Sequence, residues 1–336
     1  MGAHTSFLDG ARVLVTGGSG FIGRSVIAAL VTAGARVSNV DLRTDDGPDV
    51  PTVTGDLRDA DVVERVVTAD LDGIVHLAAR TSVLQSVEQP SAVTDHNVAV
   101  TAALLERSRV VGVPRFFLAS TNAVTGDVGT ATITEETPLR PLTPYGATKA
   151  AGEMLLSGYG ASYGMQTCAL RLTNVYGTGM TRKDSFVPRL MRAALSGEYV
   201  QVYGDGLQRR DLVNAADASA ALLLAWEHGL QGPLIVGSGR SISVLDMIAA
   251  AREATGAELP IKHVEAKPGE MPAVIVSIDR ARRHGYEPRV QLVDGLRQVW
   301  HEFSAEGSPR GSRTARRRTP DAARASRNGK LRTAVR

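Results

Sequence analysis

The sequence predicts an α/β protein in which a doubly wound parallel sheet is followed by a smaller α/β domain. Three observations lead to this fold class. Short apolar strands alternate with amphipathic helices over residues 12–174, which is typical of a parallel sheet covered on both faces. A glycine-rich turn joins the first strand to the first helix. From about residue 175 the loops lengthen and the elements become less regular, which indicates a second domain over 175–303.

Each element follows from an apolar run or from an amphipathic period. Short runs rich in Val, Ile, Leu and Phe predict strands over 13–15, 35–40, 52–56, 73–77, 115–120 and 166–172. Apolar residues at three- and four-residue spacing predict helices over 21–33, 59–68, 91–110 and 145–163. In the second half, the same criteria predict helices over 187–195, 216–227, 244–255 and 293–303, and an extended segment over 199–203. Ligands of such a sheet bind beyond the carboxyl ends of its strands.

The composition predicts a cytoplasmic protein with no membrane segment. Of the 336 residues 43% are hydrophobic, yet no apolar run reaches the roughly 18 residues that a spanning helix needs. Residues 1–11 form an extension without the charged start and apolar core of a secretory signal. The single cysteine, Cys168, excludes an intrachain disulfide and a cysteine-based zinc site. No metal site is predicted.

Charge is unevenly distributed along the chain. Residues 304–336 carry ten Lys or Arg against Glu306 and Asp321, a net charge of +8, which leaves −5 on the preceding 303 residues. This segment has no periodic apolar face, so we expect a disordered basic tail. A basic tail can bind nucleic acid or an anionic membrane, but this one lacks interleaved aromatic residues and the rest of the chain is acidic. We therefore expect neither a nucleic-acid nor a membrane partner.

The turn after the first strand predicts a dinucleotide site. Its glycines are Gly17, Gly20 and Gly23. The tight turn, the approach of the backbone to a pyrophosphate and close helix packing each require a residue without a side chain, and the helix start attracts the anion. The second strand ends in Asp41, which can accept hydrogen bonds from an adenosine ribose. Because Asp41 would repel a 2′-phosphate, NAD is favoured over NADP, although Arg43 could accommodate that phosphate.

Tyr145 and Lys149 form the candidate catalytic pair. Four residues apart on a predicted helix, they lie on one face and one turn apart. A phenol with a pKa near ~10 is a poor base at neutral pH, and a neighbouring ammonium is expected to lower that pKa. Tyr145 could then take the proton of a sugar hydroxyl while hydride leaves for a nicotinamide. Thr121 follows the fifth predicted strand, and its hydroxyl could bind the same substrate oxygen or cap the local turn.

Ten motifs occur in order between residue 12 and about residue 303. They are 16–23, 55–57, 76–79, Asn97, 121–126, 145–149, 171–177, 202–211, 236–239 and 267–270. Together they resemble the extended short-chain dehydrogenase/reductase superfamily, and within it the NAD-dependent nucleotide-sugar epimerase/dehydratase family, most of all bacterial UDP-glucuronate and UDP-glucose 4-epimerases. The resemblance implies a Rossmann-type sheet, NAD as the cofactor, a smaller α/β domain that binds a UDP-sugar, and a homodimer formed through helices near 91–110 and 146–163.

The resemblance also implies a role for individual residues. Tyr145 would be the base, Lys149 would tune it and bind a ribose, and Thr121 would be the third catalytic residue. NAD would be bound by Gly17, Gly20, Phe21, Ile22, Asp41, Arg43, Asp56, Leu57, Leu77, Ala78, Ala79, Thr81, Asn97, Tyr145 and Lys149. The UDP-sugar would be bound by Thr121, Asn122, Tyr145, Thr173, Asn174, Arg182, Val187, Val202, Tyr203, Arg210, Lys267 and Glu270. Lys267 and Glu270 stand where the family usually has Arg and Asp, and Arg210 could instead form an ion pair with Asp211.

The two residues after Thr121 favour one reaction of the family. Its 4,6-dehydratases have Asp and Glu there to move protons during water loss, and its UDP-glucuronate decarboxylases have Glu at the second position. This chain has Asn122 and Ala123, neither of which can act as a general acid or base. What remains is 4-epimerisation through a transient 4-keto sugar. A dehydratase, a reductase that consumes NAD(P)H and a non-enzymatic NAD-binding protein are the alternatives.

The loop after Asn174 is the guide to the sugar. It is short and basic, with Arg182 beside Lys183. Bacterial UDP-glucuronate 4-epimerases carry an Arg near the uronate carboxylate, and a guanidinium pairs well with that group. Arg182 is the candidate, with the register open by one residue and a solvated charge as the alternative. We expect UDP-glucuronate and UDP-galacturonate as the leading substrates, and UDP-glucose and UDP-galactose as the second pair.

Overall fold

A seven-stranded parallel sheet forms the centre of the protein. The computed structural model describes residues 7–43, 49–266 and 271–307. The strands in these ranges are β1 (Arg12–Thr16), β2 (Arg36–Asp41), β3 (Thr52–Thr54), β4 (Gly73–His76), β5 (Arg115–Thr121), β6 (Thr132–Ile133), β7 (Gln166–Leu172), β8 (Asn174–Tyr176), β9 (Val200–Tyr203), β10 (Arg209–Asn214), β11 (Gly232–Val236), β12 (Ser241–Ser243), β13 (Ile261–Val264) and β14 (Ile275–Val276). The helices are α1 (Phe21–Thr32), α2 (Ala60–Val66), α3 (Val83–Glu88), α4 (Pro90–Thr94), α5 (Val100–Val111), α6 (Pro144–Tyr163), α7 (Phe186–Ser196), α8 (Ala215–Glu227), α9 (Val244–Thr255), α10 (Asp279–Arg282) and α11 (Leu292–Gly307).

The order of the main sheet is β3-β2-β1-β4-β5-β7-β11, and every neighbouring pair is parallel. This confirms the predicted fold class. The chain runs outward from β1 to β3, then crosses back to place β4 on the other side of β1. Such a reversal leaves a crevice at the carboxyl ends of the strands, where open α/β sheets bind their ligands. Three smaller sheets have the orders β12-β10-β8, β13-β9 and β14-β6.

Helices cover both faces of the main sheet, because its strands are apolar on both sides. On one face α1 packs against α8, and Trp226 of α8 stacks on Phe117 of β5 with 5.3 Å between ring centroids. On the other face α2, α5 and α6 surround a core that includes the fully buried Leu104. A separate core, with Ile248 and Val299, lies between α7, α9 and α11 in the smaller lobe. Each core removes a large apolar area from water, which is the main favourable term in folding.

The helix predicted over 91–110 is interrupted, so that prediction is wrong in part. The chain forms α4, a π-helical turn over Asp95–Ala99, and then α5. The helix α3, which precedes them, was not predicted. Turns of π-helix occur mostly as single turns inside α-helices, frequently at functional sites.

The boundary between the lobes differs from a single division at residue 174. The elements α8 and β11 come after that point, yet α8 packs on α1 and β11 pairs with β7 in the main sheet. At the other end, α11 runs to Gly307, so residues 304–307 belong to this helix and not to the predicted tail. Residues 308–336 of that tail, and residues 1–6 of the predicted extension, lie outside the described residues.

The described ranges show neither a membrane-spanning helix nor a metal-binding cluster. No helix there has the length and hydropathy to cross a membrane. The same ranges contain no cluster of three or more His, Cys, Asp or Glu side chains placed to bind a metal ion.

Candidate active site

A cavity of about 790 Å³ opens where the strands of the main sheet end, and the smaller lobe forms its other wall. Many of the residues predicted to bind the cofactor line it: Gly17, Gly20, Phe21, Ile22, Asp41, Arg43, Asp56, Leu57, Leu77, Ala78, Ala79, Thr81, Tyr145 and Lys149. Residues predicted to bind the substrate also line it: Thr121, Tyr145, Thr173, Asn174, Val187 and Arg210. The structure therefore brings nearly all of the predicted cofactor residues and half of the predicted substrate residues to one site.

The glycine turn is shaped by its contact with the loop after β4. Gly17 has φ +73°, a conformation that side chains other than that of glycine rarely adopt. A Cβ atom at Gly17 would lie 2.7 Å from the backbone nitrogen of Ala78. Gly20 donates from its N–H to the carbonyl of Gly17 at 3.1 Å, and as the N-cap of α1 it has no side chain to cap the helix. Phe21 and Ile22 of the first turn line the cavity, so the uncapped helix start is suited to bind an anion.

The end of β2 supports the same turn through two side chains. The N–H of Gly18 donates to Oδ1 of Asn39 at 2.9 Å, and the N–H of Ser19 donates to Oδ2 of Asp41 at 3.1 Å. Asn39 is 1% exposed and was not singled out from the sequence. The sequence signal that could have identified Asn39 is its position in the second strand, two residues before Asp41. Asp41 thus fixes the turn and also lines the cavity.

Asp56 follows β3 and lies at the same end of the cavity as Asp41. Its carboxylate pairs with Arg58, with 2.6 Å between Oδ2 and Nη2. This hydrogen-bonded ion pair lowers the pKa of Asp56 to about 2, so the carboxylate is charged at all physiological pH values.

A chain of hydrogen bonds joins β1, β4 and α5 behind the cavity. The Thr16 hydroxyl accepts from the N–H of Ala78 at 3.2 Å and lies 2.7 Å from Nδ1 of His76. Nε2 of His76 lies 3.1 Å from the Thr101 hydroxyl, which donates to the carbonyl of Asn97 at 2.6 Å. Because the Thr101 proton is used in that bond, Nε2 must carry the ring proton and Nδ1 must accept from Thr16. Burial lowers the pKa of His76 to about 3, so the ring is neutral.

Asn97 does not line the cavity, although the sequence placed it among the cofactor-binding residues. It is 3% exposed and lies in the π-helical turn. Its side chain accepts from the N–H of Arg80 at 2.8 Å, and donates to the carbonyl of Arg80 at 3.1 Å and to the Thr148 hydroxyl at 3.0 Å. These bonds satisfy the amide fully within the protein. Asn97 therefore positions the loop after β4 against α6.

Tyr145 lies in the first turn of α6, which begins with Thr143 as its N-cap and Pro144. Burial raises the pKa of the Tyr145 phenol to about 12, and a hydrogen bond with Thr121 partly offsets this rise. The oxygen of the Thr121 hydroxyl also accepts from the N–H of Ala123 at 3.2 Å. The Thr121 proton is thus free to be donated to the phenol oxygen, which joins two of the predicted catalytic residues directly.

Lys149 is 4% exposed and lines the cavity one helical turn after Tyr145. Burial lowers the pKa of its ammonium to about 8. Lys149 was expected to lower the pKa of Tyr145, but in this structure the rise caused by burial is the larger effect. Both groups are removed from water, and this desolvation disfavours the charged form of each.

A buried ion pair joins α6, the helix that carries Tyr145 and Lys149, to β7. Arg171 of β7 and Glu153 of α6 are 2.8 Å apart, and both side chains are about 5% exposed or less. Ser120, which also lines the cavity, donates to the same carboxylate at 2.5 Å. Ser120 and Arg171 are register partners on β5 and β7. The pair therefore fixes two strand ends and α6 relative to one another.

On the substrate side, the fully buried carboxylate of Asp211 accepts several hydrogen bonds. They come from the hydroxyls of Thr173 at 2.8 Å and Ser238 at 2.9 Å, and from the backbone N–H of Arg240 at 3.0 Å. The guanidinium of Arg210 instead donates to the carbonyl of Arg209 at 2.7 Å. The alternative in which Arg210 pairs with Asp211 is thus not favoured, and Arg210 lines the cavity.

Several predicted substrate residues do not line the main cavity. Asn122 follows Thr121, and its backbone carbonyl accepts from the Thr125 hydroxyl. Val202 is fully buried in the core of the smaller lobe, and Tyr203 lines a second cavity beside α7. Arg182 is exposed and does not line the main cavity. Lys267 and Glu270 lie outside the described residues.

Lys183 lines the cavity in the position that the sequence assigned to its neighbour Arg182. Burial lowers the pKa of the Lys183 ammonium below its ordinary value. The sequence left this register open by one residue, and two adjacent cations cannot be distinguished by pattern. Other lining residues that the sequence did not single out include Arg80, His96, Ser120, Phe186 and Met247.

Comparison with known proteins decides the family. Residues 13–237 match the NAD dependent epimerase/dehydratase family. The chain belongs to this family.

Curated and solved members extend the match over nearly the whole chain. The UDP-glucose 4-epimerase of Streptomyces lividans is 33% identical over 324 residues, covering 89% of this chain and 98% of the relative. The Thermus thermophilus UDP-glucose 4-epimerase, solved with NAD, has a TM-score of 0.80 and 34% identity, covering 89% and 100% of the two chains. MoeE5, solved with UDP-glucuronic acid and NAD, has a TM-score of 0.80 and 32% identity, covering 88% and 100%. The protein is an NAD-dependent nucleotide-sugar 4-epimerase with the Rossmann-type fold of the extended short-chain dehydrogenase/reductases.

NAD is the cofactor of the epimerase, and the described residues fit it. The positive φ of Gly17 and its contact with the backbone of Ala78 leave no room for a Cβ atom, so the turn takes the tight form that a dinucleotide site requires. The uncapped start of α1 offers N–H groups to a pyrophosphate. Asp41 offers a carboxylate to a ribose, and Lys149 a buried ammonium.

Proposed function

We propose that this epimerase interconverts UDP-glucuronate and UDP-galacturonate. The observation that carries the proposal is Lys183, a partly desolvated cation on the cavity wall formed by the smaller lobe. A cation there would pair with the C6 carboxylate of a uronate through a charge-assisted hydrogen bond. The 32% identity to MoeE5, which was solved with UDP-glucuronic acid, adds support.

The chemistry follows from three residues of this chain. Tyr145 takes the proton of the C4 hydroxyl, and Thr121 holds the same oxygen while its hydrogen bond favours the phenolate. Lys149 adds a positive charge beside them. When bound, NAD supplies the hydride acceptor and a positive ring that favours the phenolate. The 4-keto sugar then rotates to present its other face, on which the hydride held by the cofactor would return to C4, and Tyr145 returns the proton to the C4 oxygen.

The residues that line the cavity divide between the two ligands. We assign to NAD the residues of the main-sheet side from Gly17 to Thr81 given above, with Tyr145 and Lys149 shared. We assign Thr173, Asn174 and Val187 to the UDP-sugar, and Arg210 to its diphosphate. Asn122 and Ala123 provide no acid or base for water loss, which favours epimerisation over dehydration.

A second candidate substrate pair is UDP-glucose and UDP-galactose. It is favoured by the relatives from Streptomyces lividans and Thermus thermophilus, both of which are named UDP-glucose 4-epimerases. MoeE5 was also solved with UDP-glucose and NAD. The sugars of this pair have no carboxylate at C6 for Lys183 to bind. A substitution of Lys183 should therefore affect the first pair of substrates and not the second.

The assembly and location of the epimerase remain predictions. We expect a homodimer that uses α5 and α6, and a cytoplasmic enzyme. Light scattering during size-exclusion chromatography tests the first, and a monomer at micromolar concentration would contradict it.

The test is a comparison of the two sugars with matched variants. The purified protein is incubated with NAD and either UDP-glucuronate or UDP-galactose, and the products are separated by chromatography. We expect Lys183→Met to raise KM for UDP-glucuronate by about 10- to 100-fold, the effect of losing a charge-assisted bond, with little change for UDP-galactose. Arg182→Met is the control and should change neither. Turnover of UDP-galactose without turnover of UDP-glucuronate would reverse the order of the candidates.

A further inference from the structure

The loop of residues 178–185, here called the 178–185 loop, is held from two sides by charged side chains. It joins β8 to α7 and carries Lys183. From α11, the carboxylate of Glu302 accepts from the backbone N–H of Gly179 at 2.7 Å. From α7, Arg189 and Arg192 both donate to the loop. The loop that carries the cavity cation is therefore anchored to two helices of the smaller lobe.

Arg192 is the side chain that holds the backbone at Lys183. Its guanidinium donates to the carbonyl of Thr181 at 3.3 Å and to the carbonyl of Lys183 at 3.1 Å. It also pairs with Oδ1 of Asp184 at 3.4 Å, and Arg189 forms two bonds of 2.8 Å with the same carboxylate. A guanidinium is a planar fork that can hold two acceptors at a fixed separation, which an ammonium cannot do. We call Arg192 with these two carbonyl oxygens the Arg192 clamp.

Because Arg182 and Lys183 are adjacent, the local backbone conformation decides which of the two cations faces the cavity. Lys183 lines the main cavity and Arg182 does not, although both residues are exposed to solvent. A change in the backbone torsions of Arg182 and Lys183 would exchange the two side chains. The clamp holds the carbonyls of Thr181 and Lys183, one on each side of the Arg182–Lys183 peptide. With the bond from the Lys183 N–H to the Met180 carbonyl at 2.9 Å, it opposes that change. A fixed backbone also leaves only the torsions of the Lys183 side chain to be ordered on binding.

We propose that Arg192 is a positioning residue for substrate specificity, which keeps Lys183 and not Arg182 in the cavity and thereby favours sugar nucleotides that carry a carboxylate at C6. The identity of the sugar rests on the proposed function, whereas the clamp itself rests on the hydrogen bonds described above. Arg192 does not line the main cavity. It lines the second cavity, together with Tyr203. We expect its effect on the substrate to pass through Lys183, and the double-mutant cycle below distinguishes this route from one through the second cavity.

The first test separates specificity from general damage. We expect Arg192→Met to raise KM for UDP-glucuronate about tenfold, with kcat and KM for UDP-galactose within about twofold of wild type. Arg192→Lys should recover only part of the loss, because an ammonium can bond one carbonyl well but does not reproduce the fork. Arg297→Met is the matched control, since Arg297 is an exposed arginine of α11 that pairs with Asp294 and Glu253 away from the cavity. An equal rise in KM for both sugars would overturn the specificity role.

The second test asks whether Arg192 acts through Lys183. In a double-mutant cycle with Lys183→Met, removing Arg192 should add little, because the group that it positions is already absent. Fully additive effects would overturn the proposal, since they would mean that Arg192 influences the substrate by another route.

A third test does not depend on the substrate. Trypsin cleaves after Arg182 and Lys183, and the clamp should protect both bonds. We expect cleavage at these sites, followed by mass spectrometry, to be about tenfold faster or more in Arg192→Met than in wild type or Arg297→Met. Equal cleavage rates overturn the clamp whichever sugar is used. Faster cleavage in an enzyme that does not turn over UDP-glucuronate would leave the clamp standing and overturn the proposed function.

Discussion

The Thr16 hydroxyl donates to Nδ1 of His76 across 2.7 Å, and this bond joins the first strand of the sheet to the fourth directly behind the cavity. The same Thr16 oxygen accepts from the N–H of Ala78, which packs on Gly17. The glycine turn is thus coupled to a neutral imidazole. Protonation of His76 would remove the acceptor that Thr16 needs.

The first prediction concerns acid stability. The unfolded chain protonates His76 below pH 6.5, but the folded protein does so only near pH 3. Between these values the unfolded state binds more protons, so the free energy of unfolding falls as the pH falls, by up to about 1.4 kcal/mol per pH unit for this residue. Urea unfolding at several pH values from 7 to 5 measures the slope. His76→Gln should show a shallower slope than wild type, and equal slopes would contradict the assignment.

The second prediction compares two glycines with positive φ. Gly17 (φ +73°) leaves no space for a Cβ atom, whereas Gly112 (φ +83°) at the end of α5 has no atom within 4 Å of that position. Gly112→Ala should lower the free energy of unfolding by about 1 kcal/mol through backbone conformation alone. Gly17→Ala should lower it by about 2–4 kcal/mol, because the methyl group also meets the backbone of Ala78, and should weaken NAD binding. Denaturant unfolding and NAD titration measure both, and equal losses would show that the contact with Ala78 is not rigid.

The third prediction concerns Tyr145 and Thr121. Tyr145→Phe should reduce kcat by about 10²- to 10⁴-fold, the usual contribution of a general base, while the ring keeps the fold and NAD binding intact. Thr121→Val removes the hydrogen bond that lowers the Tyr145 pKa, so the rise of kcat/KM with pH should shift to higher pH. Thr121→Ser, which keeps the hydroxyl, should restore the wild-type profile. A Thr121→Val profile that matches wild type would separate Thr121 from the phenol.

The fourth prediction sets activity against stability at Lys149. Burial lowers the pKa of its ammonium from 10.5 to about 8, so at pH 7 the folded protein contains a buried charge that water would stabilise better. Lys149→Met should therefore raise the free energy of unfolding by about 1–3 kcal/mol at pH 7 while it abolishes turnover. The advantage should shrink as the pH rises from 8 to 10.5, because the folded wild type then loses its charge first. A less stable variant at pH 7 would mean that the ammonium is well paired.

Elements with strong local end signals could be predicted from the sequence. The helix α9 was predicted over its observed range from its apolar spacing, and the structure shows the local signals that fix its ends: Ser243 and Asp246 form a capping box and Gly256 ends it at φ +71°. The strand β7 was also predicted over its observed range, because its central residues from Cys168 to Leu170 are apolar and Leu172 follows them. The glycine turn and the Tyr145–Lys149 spacing placed the cavity correctly because the chemistry requires those residue types at those positions.

The errors occur where distant parts of the chain decide local structure. The π-helical turn at Asn97 depends on hydrogen bonds to Arg80 and Thr148, which no local pattern reports. The choice of Lys183 over Arg182 depends on Arg192. The high pKa of Tyr145 depends on how deeply α6 is buried, and residue spacing carries no information on burial.

The strand β11 follows α7, β9 and β10 in the sequence, but it pairs with β7 in the main sheet. A shortened protein that stopped at residue 174 would present β7, with its buried Cys168 and Leu170, as a bare outer strand. Unpaired flat edges of this kind recruit other chains and aggregate. We therefore expect residues 1–174 not to form a stable, soluble fragment by themselves. A chimaera that joins this half to the smaller lobe of another protein must also include β11.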